Sequence, residues 1–224
     1  MNAETSRPVA GTSPPPHWRL PLVFALLPLL VTHVAYALSI RDGLVPDCLP
    51  YWDGCTSISR AARHGLGNVV FKVVVLPCAG VLALVWLHAA NELRDRGEAA
   101  RAVLTAGLVG ALALAVYVSF LGVDAEFSRW LRRYGAVIYF AATFLAQLLY
   151  VRSCWRAGAR SLAVHGLLIV SVLLLLGGLS STAVSGLVQD PALKDRGENA
   201  IEWGLGVLFT LWFLLLAWRW RRDP

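Results

Sequence analysis

Residues 161–186 read SLAVHGLLIVSVLLLLGGLSSTAVSG, a run with no aspartate, glutamate, lysine or arginine. A helix needs roughly 20 such residues to cross a hydrocarbon core of about 30 Å. Five further stretches have nearly the same character, at about 20–40, 68–90, 102–122, 134–151 and 200–218. Hydrophobic residues make up 57% of the 224 positions and charged residues 15%, and mean hydropathy is +0.61. An ordinary soluble domain carries about 25% charged residues. The pattern predicts an all-α polytopic membrane protein, a bundle of six transmembrane helices forming one domain over 20–218. The runs are continuous instead of alternating, which argues against an outer-membrane barrel.

The first span carries a second reading. It contains Ala35-Tyr36-Ala37, which looks like a signal-peptide cleavage site. The apolar run continues past it to Ile40, and a polar leader precedes it, so a retained first helix is expected. Residues 1–19, with several prolines, read as a disordered cytoplasmic tail, and 219–224 as a basic cytoplasmic tail.

Basic residues in the connections set the orientation. With both termini inside, the cytoplasmic side holds Arg7, Arg19, Arg94, Arg96, Arg101, Arg152, Arg156, Arg160, Arg219, Arg221 and Arg222. The outer side holds the smaller set Arg41, Arg60, Arg63, Arg129, Arg132, Arg133, Lys194 and Arg196. An N-in, C-in bundle in the bacterial inner membrane is expected, with Trp218-Arg219-Trp220-Arg221-Arg222 as an interfacial anchor. The net charge of +6 then reflects topology and anionic-lipid contact, with no need for nucleic acid.

One acidic residue stands inside a predicted span: Glu202, in Asn199-Ala200-Ile201-Glu202-Trp203. A carboxylate in a span costs roughly 2.5–3.5 kcal/mol at the centre and less near an end. It calls for a cation, a proton or water. Lys72, about one turn into the second span, and Arg132 at the start of the fourth are the expected partners. Such a pair either fixes helix register or serves a polar pocket.

The longest connection, 41–67, is where chemistry is expected. Cys48 and Cys55 flank Pro50-Tyr51-Trp52-Asp53-Gly54. In an oxidising periplasm they should form a disulfide that rigidifies the Tyr51-Trp52 tip; otherwise they are two thiols near the membrane face. Ser57, Ser59, Arg60 and Arg63 follow, groups suited to an anion such as a lipid phosphate. No metal site and no cofactor motif is expected. His33, His88, His165 and Gln147 read as packing or interfacial groups. Gly107 and Ala111, and the Gly177–Gly186 segment, predict close helix contacts.

Three short features resemble the Frag/DRAM/Sfk family of six-helix membrane proteins. They are Pro50-Tyr51-Trp52 with Ser57-Ile58-Ser59, Gly135-Ala136 with Tyr139-Phe140, and the Asn199 to Trp203 segment. The chain departs from that family at Arg132, where a histidine is common, and at Arg60-Ala61-Ala62-Arg63. The cysteine-flanked insert looks like a bacterial branch. The resemblance implies a lipid-linked role.

These observations predict a protein that binds or remodels lipid, with an anionic headgroup held at the periplasmic face by Ser57, Ser59, Arg60, Lys72, Arg132 and Glu202. In an enzymatic form, Glu202 would act as base or positioning group and Ser57 or Ser59 as nucleophile, although no matched base–orienter pair is visible. The alternatives are a scaffold that docks a membrane-protein partner through Tyr51 and Trp52, and a proton-coupled transporter using Glu202.

Overall fold

The structure, a computed structural model, describes residues 17–222. The tail expected over 1–19 lies almost wholly outside the described residues. Six long helices carry the chain: α1 Arg19–Arg41, α4 Gly65–Glu92, α5 Glu98–Phe120, α6 Glu126–Arg156, α7 Leu162–Leu187 and α8 Pro191–Arg222. All six are long and apolar enough to cross a membrane. Among the described residues there is no strand. Two one-turn helices, α2 Pro50–Asp53 and α3 Ile58–Ala61, lie between α1 and α4. The fold class expected from the sequence is the one observed.

The ends of these elements follow local chemistry. Pro50 opens α2, where its missing N–H would be unpaired anyway, and Gly54 closes it at φ 56°. Ser57 caps α3 by accepting a hydrogen bond from the Arg60 amide at 3.1 Å. Cys48 and Cys55 lie at bonding distance as a disulfide across this loop, with Cα atoms 6.6 Å apart.

The long helices alternate in direction and form a ring in the order α1, α4, α5, α6, α7, α8, closed by α1 against α8. The joint between α6 and α7 is the slightest in the ring. Large side chains such as Val73, Leu112 and Ile169 point outward. In water that belt would drive aggregation; against lipid tails it is the ordinary surface.

Small residues permit the closest approaches. A Cβ on Gly107 would overlap the Trp86 ring, and one on Gly67 would meet the Ala35 carbonyl at 2.8 Å. The packing face expected on α7 is only partly used. Gly177 fits against Leu205, but a Cβ on Gly178 or Gly186 would meet nothing within 4 Å.

The end of the bundle away from the α1–α4 loop is sealed by aromatics and one ion pair. Trp86, Trp212 and Phe213 pack ring against ring, with centroids 5.2–6.0 Å apart. Below them the Arg219 guanidinium pairs with Glu92, and both groups also bond the Tyr150 hydroxyl. Trp220 donates its indole N–H to Glu92 at 3.0 Å. The cluster joins α4, α6 and α8. Arg219, read from the sequence as the start of a basic tail, is therefore buried in the last turns of α8, which continues to Arg222.

Candidate functional site

A cavity of about 430 Å³ opens inside the ring, running from the α1–α4 loop down to Phe24 and Phe213. That volume is within the range of small-molecule and lipid-headgroup pockets, about 300–1,000 Å³. Phe71, Val75 and Leu114 line its middle, roughly two to three turns from the loop-side helix ends, and Phe24 and Phe213 line its deepest part, where Phe213 adjoins the aromatic seal. The charged lining comes from the loop and from helix ends nearest it, as Arg63, Arg132, Arg133 and Glu202, with Ser59, Tyr51, His33 and Tyr117 near them and Thr32, Tyr139 and Thr210 as further polar lining. The cavity is thus charged at its mouth and mostly apolar below.

The start of α8 builds one wall. Asn199, Glu202 and Trp203 are spaced by three and four residues and so share one helix face. Each grips the loop at a different point. Asn199 donates its amide N–H to the Gly54 carbonyl at 2.8 Å, and the Trp203 indole donates to the Thr56 carbonyl at 2.9 Å. Glu202 accepts a hydrogen bond from the Ser59 amide at 3.4 Å. The Trp203 ring also meets Tyr36, His33 and Tyr51, with centroids 5.3–5.6 Å apart. Tyr51 and His33 share a hydrogen bond of 2.8 Å. Burial raises the Tyr51 hydroxyl above its ordinary pKa.

The opposite wall is basic. Arg63 follows α3, and its segment is pinned by Asn68, whose side-chain amide donates to the Ala62 and Leu121 carbonyls at 2.9 and 3.2 Å. Gly122, at φ 81°, turns α5 into α6 at a point where a Cβ would strike the Arg63 carbonyl. Gly135 brings α6 against the Tyr117 backbone, one turn from Arg132. Burial, and then the neighbouring Arg132 charge, lower the Arg63 guanidinium below its ordinary pKa. Arg63 Nε and Arg132 Nη1 are buried N–H groups without a hydrogen-bond partner. Leaving such a donor unpaired costs about 1–3 kcal/mol, more when it is charged.

The structure thus brings Ser59, Arg132 and Glu202 of the expected site together and adds Arg63, Tyr117, Tyr51 and His33. The other expected members fall elsewhere. Ser57 is committed to capping α3 and touches Ser59 Oγ at 3.3 Å. Arg60 turns outward and pairs with Asp195 at 3.2 Å. Lys72 adjoins the lining residue Phe71, but the next helical position is turned by roughly 100°, and Lys72 is not among the lining residues. Neither expected partner pairs with Glu202: among the described residues no lysine or arginine nitrogen is within ion-pairing distance of it. A backbone amide supplies the contact instead. The expected Tyr51-Trp52 tip is also divided, with Tyr51 in the cavity wall and Trp52 85% exposed.

The docking of the loop can be tested at Gly54. Its positive φ favours glycine, and a Cβ there would overlap the Arg196 backbone. The left-handed conformation alone costs a non-glycine residue about 1–2 kcal/mol. Gly54→Ala should therefore lower the thermal midpoint in detergent and expose the 42–64 segment to protease. An unchanged midpoint would mean that the loop is not held against α8.

No family model, no curated protein and no solved structure matches the chain.

Proposed function

We propose that this is an integral protein of the bacterial inner membrane that holds a phospholipid headgroup in the cavity beneath the α1–α4 loop. The observation that carries the reading is that Arg63 and Arg132 both line the cavity, neither in an ion pair among the described residues and each with a buried N–H group that lacks a hydrogen-bond partner. A phosphate accepts from several N–H donors at once and offsets the repulsion between two arginines. The acyl chains suit the phenylalanine-lined part below. The arginine bias and the Cys48–Cys55 pairing favour a periplasmic loop with both termini in the cytoplasm.

The resemblance to Frag/DRAM/Sfk proteins supports a lipid-linked role. Its three segments converge here, since Ser59, Ala136, Glu202 and Trp203 all line the cavity. Binding is the function the geometry favours. Ser57 caps a helix and does not line the cavity, which leaves Ser59 as the one of the two serines that does.

A thermal-shift titration of delipidated protein checks the reading. Phosphatidylglycerol and phosphatidylethanolamine should raise the midpoint, while diacylglycerol, with the same tails and no phosphate, should not. At one hundred times Kd a ligand adds about 2.7 kcal/mol. Equal shifts with diacylglycerol would reduce the site to an acyl-chain pocket.

A second reading, a scaffold that docks a membrane partner, rests on Trp52, exposed on the disulfide-closed turn. It predicts that Trp52→Ala disrupts a complex while lipid retention is unchanged.

A further inference from the structure

The cavity contains a carboxylate as well as cations, and a purely anionic headgroup does not account for it. Glu202 lines the same space as Arg63 and Arg132 without forming an ion pair with either. Tyr117 lines the same cavity, within electrostatic range of all three side chains. The Glu202 side chain is held in place by the Ser59 amide, and the same cavity is lined by Tyr51 and His33, which share a hydrogen bond and pack on the Trp203 ring. An anion bound to the arginines would be repelled by this wall. A ligand carrying both charges would satisfy both walls.

We infer that the headgroup is zwitterionic, a phosphate ester bearing a primary amine, with its phosphate on Arg63 and Arg132 and its ammonium on Glu202. This inference rests on the headgroup reading above. The primary amine follows from the acceptors available: an ammonium offers three N–H donors, which a carboxylate and a phenol oxygen can accept. A quaternary choline offers none, and its recognition would depend on ring faces alone. Phosphatidylethanolamine is the membrane lipid with this chemistry.

The test is a competition among lipids of identical acyl chains, using full-length wild-type protein and native mass spectrometry. Phosphatidylethanolamine should be retained over phosphatidylglycerol and phosphatidylcholine by at least about tenfold, the worth of one charge-assisted hydrogen bond. Glu202→Gln should bring ethanolamine and glycerol headgroups to parity without releasing phospholipid altogether. Wild-type preference for phosphatidylglycerol, or equal retention of all three, overturns the zwitterion inference and leaves the phosphate site standing. Retention of no phospholipid overturns both. The wild-type comparison decides the matter even if the Glu202 variant fails to fold.

Discussion

Replacing Glu92 by alanine is expected to destabilise the folded protein by about 3 kcal/mol, because it strands the buried Arg219 guanidinium without its counter-charge. Arg219 would keep its guanidinium between α4, α6 and α8, with side-chain exposure of only 10%. Tyr150 and Trp220 would lose the carboxylate that accepts from both. Arg219→Met should cost less, because the Glu92 carboxylate it leaves unpaired keeps 29% side-chain exposure. The double variant should lose much less than the sum, since no uncompensated charge remains. Denaturation in mixed micelles, monitored through tryptophan fluorescence, supplies the three numbers. Strict additivity would show that the two side chains act independently, and the clamp at this end of the bundle would be discarded.

The second large effect is expected at the other end. Arg63→Met and Arg132→Met each remove a charged donor facing the cavity. A hydrogen bond to a charged group is worth about 1.5–3 kcal/mol, so each change should weaken phospholipid binding by roughly tenfold to a hundredfold. Folding should suffer little, because the replaced groups include N–H atoms that already lack a protein partner. Methionine keeps most of the packing volume and removes the repulsion between the two arginines. Thermal midpoints without lipid should therefore stay level or rise, while lipid-induced shifts shrink. A fall in the lipid-free midpoint with an unchanged lipid shift would assign these arginines to structure.

Much of the fold was legible because the solvent imposes it. In lipid every backbone polar group must be paired within its own segment, so an apolar run of the right length has one regular solution. The helices extend beyond what hydropathy marks. α6 begins at Glu126 and α8 at Pro191, several residues before their apolar runs. Those first turns carry charges such as Arg129, Arg132, Lys194 and Arg196 that interrupt the apolar run, so hydropathy no longer signals helix there.

The site was legible in part. Glu202 stood out as a carboxylate within an apolar run, and its cavity position follows from that cost. Its contact was missed because the partner is the Ser59 amide, which no residue type encodes. Asn199 and Trp203 drew attention only as parts of a short motif, although their spacing to Glu202 already placed all three on one face. Arg63 was noticed beside Ser57 and Ser59, but its association with Arg132 depends on how closely Gly122 and Gly135 let α5 and α6 approach. Glu92 escaped notice because an acid at the end of an apolar run reads as a solvated terminus, and only the return of α8 brings Arg219 and Trp220 onto it.

The central claim is that Arg63 and Arg132 hold a phospholipid headgroup in the cavity under the loop. Native mass spectrometry of gently extracted wild-type protein beside the Arg63→Met/Arg132→Met double variant tests it most directly. The account predicts a phospholipid adduct on the wild type and its loss from a double variant that elutes and melts as a folded protein. An equally abundant adduct on both, or no phospholipid on either, would contradict it.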